Sequence, residues 1–183
     1  MSSKLMSSKI AEPYAEALMS IAQEHNLTEQ FSQELRSLLD LMAESSDFSN
    51  FVTNPVINPT VKKTVLQQVM GEESNPYLVR FLMLLVDKRR LVFLPQIAEQ
   101  YLALLRELNQ TVLAEVTAAT ELNDEQRAAL VEKIKAMTNA RDVELKITVD
   151  QDLLGGAIIK IGSKVIDASL RGQLRRISMT LSK

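Results

Sequence analysis

A chain of 183 residues, 46% apolar and 24% charged, is long enough for one domain or two small ones and too apolar to stay disordered. Its 21 basic and 23 acidic residues leave a formal charge of -2, so no overall field draws it onto nucleic acid, and phosphate binding would need a local patch. Cysteine is absent and His25 is the single histidine, which excludes disulfides and thiolate chemistry and leaves little from which to build a zinc site or a histidine general base.

The opening residues, MSSKLMSSKIAEPYAEAL, lack the apolar core of a signal peptide and make a poor transit sequence, so the mature protein is expected to start here. From Lys9 to about Asn109 apolar residues recur at helical spacing. Ile10, Tyr14, Leu18 and Ile21 line one face of a first helix, and Ala11, Ala15 and Ala22 make a second, smooth face. That helix is expected to end at Asn26, leaving His25 as a solvated residue near a helix C-terminus.

A second helix follows from a Thr28 cap, with Phe31, Leu35, Leu38 and Met42 inward. A short third helix fits Asp47 to Asn54. Asn58-Pro59 and Asn75-Pro76 each set a capping side chain just before a proline at the first helical position, which predicts the starts of helices four and five. The run from Val92 through Pro95 to Asn109 makes a sixth. The most apolar stretch, YLVRFLMLLV from Tyr77 to Val86, contains Arg80 and is too short for a membrane span, which needs about 20 residues.

Past Asn109 the period becomes two. Val112, Ala114, Val116 and Ala118 alternate with more polar neighbours, as do Val143, Leu145, Ile147 and Val149. Between them Asn123 and Gln126 form a capping box for a helix with Leu130, Ile134 and Met137 inward, which predicts a right-handed strand-helix-strand crossover. GAIIKIG and KVID read as a third and fourth strand turned by Gly162-Ser163. A last helix begins near Ser169, capped by Asp167 or Ser169, with Leu170, Leu174, Ile177 and Leu181 on one stripe. The fold class is therefore mainly α with a small α/β part: a six-helix bundle over residues 1–106, then a small α/β domain over 107–183.

Three of the five glycines fall between Gly155 and Gly162, and two chemical readings of them fail. A Walker A loop needs four residues between its glycines and then Gly-Lys-Ser/Thr, whereas here the spacing is five and the order is Ser163-Lys164. The dinucleotide fingerprint fails too, because Gly155 and Gly156 are adjacent and a strand follows them. These glycines shape a sheet. Asp150 and Asp152 beside them read as solvated turn residues, with no His, Cys or phosphate loop to make a catalytic pair.

The segment LLGGAIIKIGSKVIDASLRGQL, from Leu153 to Leu174, resembles the C-terminal signature of the δ subunits of rotary ATP synthases, the family called oligomycin-sensitivity-conferring protein in mitochondria. EPYAEAL on the first helix is similar to that family's Pro-Tyr-Ala start, and NPYLVRFLMLLVDKRRLVFLPQIAEQY to its fifth and sixth helices. The likeness runs the length of the chain. It implies a non-catalytic stator subunit that links the N-terminal helices of α subunits in the catalytic head to the peripheral-stalk b subunits and resists rotor torque.

From the resemblance, the α-subunit helix is expected in a groove lined by Tyr14, Ala17, Leu18 and Ile21 of the first helix and Val79, Leu82, Met83 and Val86 of the fifth. Helix five is apolar almost all round, more than one side of a small bundle buries, which suits a visiting amphipathic helix. Gly155, Gly156, Asp167, Ser169, Arg171 and Gly172 are the signature positions, and Arg171, Arg175 and Arg176 are the expected stalk contacts. No cofactor, metal or nucleic acid is expected, and the membrane is reached only through the complex. The location implied is the cytoplasmic or stromal face of a cyanobacterial or plastid thylakoid, or else a bacterial plasma membrane. The rival reading, an RNA-binding or antitermination-type two-domain protein, lacks a GXXG clamp and aromatic residues on its predicted strands.

Overall fold

A computed structural model describes residues 2–71, 74–153 and 155–174, with side chains from residue 9 onward. The chain divides into two compact units, residues 1–105 and 106–183.

Helices fill the first unit: α1 (Ser2–Glu24), α2 (Thr28–Glu44), α3 (Ser46–Thr53), α4 (Pro59–Met70), α5 (Pro76–Asp87) and α6 (Leu94–Leu108), the last entered through a 3-10 turn at Leu91–Phe93. The two Asn-Pro starts form as expected. The Asn58 side chain accepts from the Thr60 N–H and the Asn75 side chain from the Tyr77 N–H, while the prolines occupy positions whose missing N–H would have had no helical partner. At α2 the outcome differs, because Thr28 is already helical and Leu27 stands at the cap with no side-chain hydrogen bond. Ser45 caps α3 by accepting from the Phe48 N–H.

One core runs through the helical unit. Phe31, Leu35, Leu38 and Met42 of α2 are buried in it, as are Leu78, Phe81, Leu82, Leu85 and Val86 of α5 and Ile97, Tyr101 and Leu105 of α6. The Tyr101 hydroxyl donates to the Thr28 carbonyl at 3.0 Å, and burial, with the charge of Glu29 adding to it, raises this phenol's pKa. On α1 the alanine face is buried throughout, at Ala11, Ala15 and Ala22, whereas on the other face Leu18 is fully buried and Ile10, Tyr14 and Ile21 sit half-buried at the rim. Residues without bulk let the helix axis approach its neighbours closely.

The second unit holds a four-stranded mixed sheet in the order β2-β1-β3-β4, from β1 (Thr111–Ala118), β2 (Asp142–Val149), β3 (Ala157–Ile161) and β4 (Lys164–Asp167). β1 and β2 are parallel, joined by α7 (Asp124–Thr138), and β1-β3 and β3-β4 are antiparallel. The capping box is present, with the Asn123 side chain accepting from the Gln126 N–H while the Gln126 side chain accepts from the Asn123 N–H. Ala114, Val116, Ile134, Val143 and Ile159 form the core under α7, with Leu130 packed against it. Met137 does not join them. It is 44% exposed although it keeps the i, i+4, i+7 spacing, because it stands in the last turn of α7, just before the Asn139 cap. A final helix is under way over 170–174, where Leu170 and Leu174 are exposed, and Ile177 and Leu181 lie outside the described residues.

Candidate interaction surfaces

Two of the eight expected groove residues are fully buried, Leu18 and Leu82 at 0%, and Val86 follows at 2% exposure. They belong to the core and have no surface to offer a guest, because the arc of each helix they occupy is the arc that packs inward. Tyr14, Ile21, Val79 and Met83 are half-buried and Ala17 is exposed.

Which side of α5 meets α1 is settled by ring contacts. Tyr14 packs edge-on against Phe81 with centroids 6.4 Å apart, and His25 stacks on Tyr77 at 4.4 Å. As residue number rises along α1 it falls along α5, so the two helices are antiparallel neighbours. His25 is thus not merely solvated as the sequence suggested; its ring closes the seam at the end of α1. Arg90 closes the other end, donating to the Tyr14 hydroxyl at 2.6 Å with its guanidinium 5.3 Å from the ring centroid.

Tyr77, Phe81 and Leu84 recur at i, i+4 and i+7 and form the edge of α5 beside α1. Leu84 is 45% exposed there. Val79, Met83 and Val86 repeat the same spacing two residues further on, which at 3.6 residues per turn places them roughly 160° around the helix. The seam accessible from outside is therefore Tyr14, Ala17 and Ile21 beside Tyr77 and Leu84. The spacing that picks out Tyr77 and Leu84 was legible in the sequence, but an all-apolar helix gives no sign of which arc meets which neighbour.

In the second unit the signature residues meet at one point. Ser169 is 2% exposed, its hydroxyl donates to Asp167 Oδ1 at 2.6 Å and accepts from the Gly172 N–H at 3.0 Å, and its own N–H reaches Asp167 Oδ1 at 2.9 Å. Both expected caps are used at once: Ser169 caps the helix and Asp167 orients Ser169. The carbonyl of Gly155 accepts from the Leu170 N–H at 3.0 Å, tying the glycine bend to the same turn.

Gly156 has φ of 80°, and a Cβ there would lie 2.9 Å from Ser169 Cα and closer still to the Ala168 carbonyl oxygen. A Cβ at Gly172 would lie 2.5 Å from Asp167 Oδ2. These glycines allow three backbone segments to converge, a structural duty with no ligand-binding geometry. Arg171 is exposed on this turn, and Arg175 and Arg176 lie outside the described residues.

Among the described residues no group of three or more His, Asp or Glu side chains could hold a metal, and no helix is long and apolar enough to cross a membrane. Asp150 accepts from the Asp152 N–H in an exposed turn at the end of β2. The strands carry no aromatic side chain on which a base could stack.

The family model described as ATP synthase delta (OSCP) subunit matches residues 10–181. The chain is 58% identical over 176 residues to ATP synthase subunit delta of Gloeothece citriformis, covering 96% of each. It is 56% identical to the protein of the same name in Nostoc sp., covering 100% of this chain and 99% of that one. Its fold is similar to a chain in the cryo-EM structure of the Toxoplasma gondii mitochondrial ATP synthase hexamer, with a TM-score of 0.74 and 22% identity over 94% of this chain and 97% of that one.

Proposed function

Because the chain belongs to the ATP synthase delta (OSCP) subunit family, it is a non-catalytic stator subunit of a rotary ATP synthase, and we propose that its two units grip two different neighbours in that assembly. The helical unit, residues 1–106, takes the amphipathic N-terminal helix of an α subunit in the catalytic head. The α/β unit, residues 107–183, takes the distal part of the peripheral-stalk b subunits. The complex sits on a cyanobacterial thylakoid, with this subunit on the cytoplasmic face. Support for that setting is the cyanobacterial origin of the relatives.

The observation that carries the first contact is the apolar edge left uncovered on α5, where Leu84 and Tyr77 stand exposed beside Tyr14, Ala17 and Ile21. An amphipathic helix laid along this seam covers the surplus that the core leaves out, while Leu18 and Leu82 stay buried in the core and Val86 lies on the other arc of α5. Val79 and Met83, half-buried on the other arc, stand outside this seam. A contact that resists torque depends on slow release, which apolar anchors supply. Calorimetry with a synthetic α-subunit N-terminal peptide tests it: Tyr14→Asp and Leu84→Asp should each abolish binding with the helical circular dichroism unchanged. Undiminished affinity in both removes the seam from the proposal.

For the second contact Arg171, Arg175 and Arg176 are assigned to an acidic stretch of a stalk subunit. Reversing all three charges should release b subunits in pull-downs, and retention of b refutes the assignment. The RNA-binding reading is set aside, since the family match covers nearly the whole chain.

A further inference from the structure

One end of the α1-α5 seam is closed by a guanidinium, and the backbone goes to some length to deliver it there. α5 stops in a paired-bond helix ending: the Arg90 N–H donates to the Leu85 carbonyl at 2.8 Å and the Arg89 N–H to the Val86 carbonyl at 3.0 Å, with Arg89 in the left-handed region at φ 54°. Glycine is the usual occupant of that left-handed position. The turn folds the chain back, and Arg90 comes to rest against Tyr14, 76 positions earlier.

Only one edge of that guanidinium is used. Its Nη1 donates to the Tyr14 hydroxyl, and its central carbon lies 5.3 Å from the ring centroid, while Tyr14 itself packs edge-on against Phe81. Among the described residues no carboxylate lies within ion-pair reach of Lys88, Arg89 or Arg90. Asp87, the acid next to them in sequence, is paired with Lys63 at 2.6 Å. Three consecutive exposed cations therefore follow α5 without a counter-charge, in a chain whose net charge is -2.

A helix laid over Tyr14 shuts water away from its hydroxyl, which then needs a partner inside the protein. Arg90 is that partner, so the guest can be apolar opposite the ring. The phenol is neutral, however, and takes a hydrogen bond without answering the charge. What the guanidinium still lacks is an anion.

We infer that Arg90 is the specificity residue of the seam, an inference that rests on the seam being the docking place of the α-subunit helix: Tyr14 tethers the guanidinium, and its free edge takes a carboxylate carried by the guest at that end. A tethered planar fork loses little freedom on meeting a carboxylate and pairs with it through two parallel bonds, which a lysine ammonium cannot do. Charge complementarity then favours a guest with an acid at the Arg90 end over one that is neutral or basic there.

The test uses the full chain and a fluorescein-labelled synthetic peptide of the α-subunit N-terminal helix, read by anisotropy, with each Glu or Asp of the peptide replaced in turn by its amide. Arg90→Met should weaken binding by about tenfold, and Arg90→Lys should recover only part of that. One amide peptide should lose the same factor against the natural chain and then be indifferent to Arg90→Met, a coupling to a single carboxylate that a merely structural role would not produce. Arg90 is exposed and its helix-ending bonds are made by the backbone, so circular dichroism should be unchanged. Natural affinity in Arg90→Met, or a loss that is the same for every peptide, overturns the assignment, while loss of binding in Leu84→Asp still upholds the seam. Absence of binding by the natural chain itself sinks the seam and this inference with it.

Discussion

At the residue scale the most constrained position is Gly156. Its φ of 80° disfavours any L side chain, and the space where a Cβ would go is taken by backbone atoms of Ala168 and Ser169, which cannot swing aside as a side-chain end would. Gly156→Ala should therefore destabilise the α/β unit by roughly 2–3 kcal/mol, the range typical of a named backbone clash. Hydrogen exchange reads it: β3 and β4 amides should lose protection while those of α2 and α5 keep theirs. Equal loss in both units would mean the glycine acts on something other than the local convergence. Lys62 gives a second prediction, in pH. Burial holds its ammonium below the usual lysine range of 10.5 in the folded chain. Between the lowered value and 10.5 the unfolded chain binds the extra proton and the folded chain does not, so stability should rise with pH across that window and level off above it. Urea midpoints of the natural chain measured against Lys62→Met should diverge in the natural chain's favour from neutral pH to pH about 10. A constant difference would mean that the ammonium is not disfavoured by its surroundings.

At the scale of elements, what sequence discloses depends on how local the cause is. The Asn58-Pro59 and Asn75-Pro76 starts and the Asn123-Gln126 capping box were readable because every atom involved lies within four residues. The strand order was reachable in part: alternation marks β1 and β2, and a helix between them makes them parallel neighbours, but nothing local says that β3 pairs with β1. On α1 the face of Ile10, Tyr14, Leu18 and Ile21 is fully buried only at Leu18, whereas the smooth face of Ala11, Ala15 and Ala22 is buried throughout. Side-chain size favours burial one residue at a time, whereas the close approach of three helices favours residues that leave room, and the second effect acts only once the neighbours are in place. The same limit explains the groove. The resemblance implied a groove between α1 and α5, and it took the Tyr14-Phe81 and His25-Tyr77 contacts to show which edge of α5, that of Tyr77 and Phe81, lies next to α1. Thr28 failed as a cap for a related reason: Leu27 turns into the core against α2, and the helix begins one residue sooner than the side-chain chemistry suggested.

At the scale of the molecule the decisive feature is that the two hydrophobic cores share no residue: one runs from Ala11 to Leu105 and the other from Ala114 to Ile159. Cooperative unfolding follows shared burial, so each unit should melt as its own two-state system, and the smaller, which buries less of its surface, should melt first. Ile159 is a direct probe, since it stands on β3 beside Val116 of β1, shares the core with Ile134 of α7, and is 9% exposed. Ile159→Ala should remove about 2–4 kcal/mol and lower the earlier calorimetric transition by roughly 10 °C or more, leaving the later one in place. If both transitions moved together, the units would be one cooperative body.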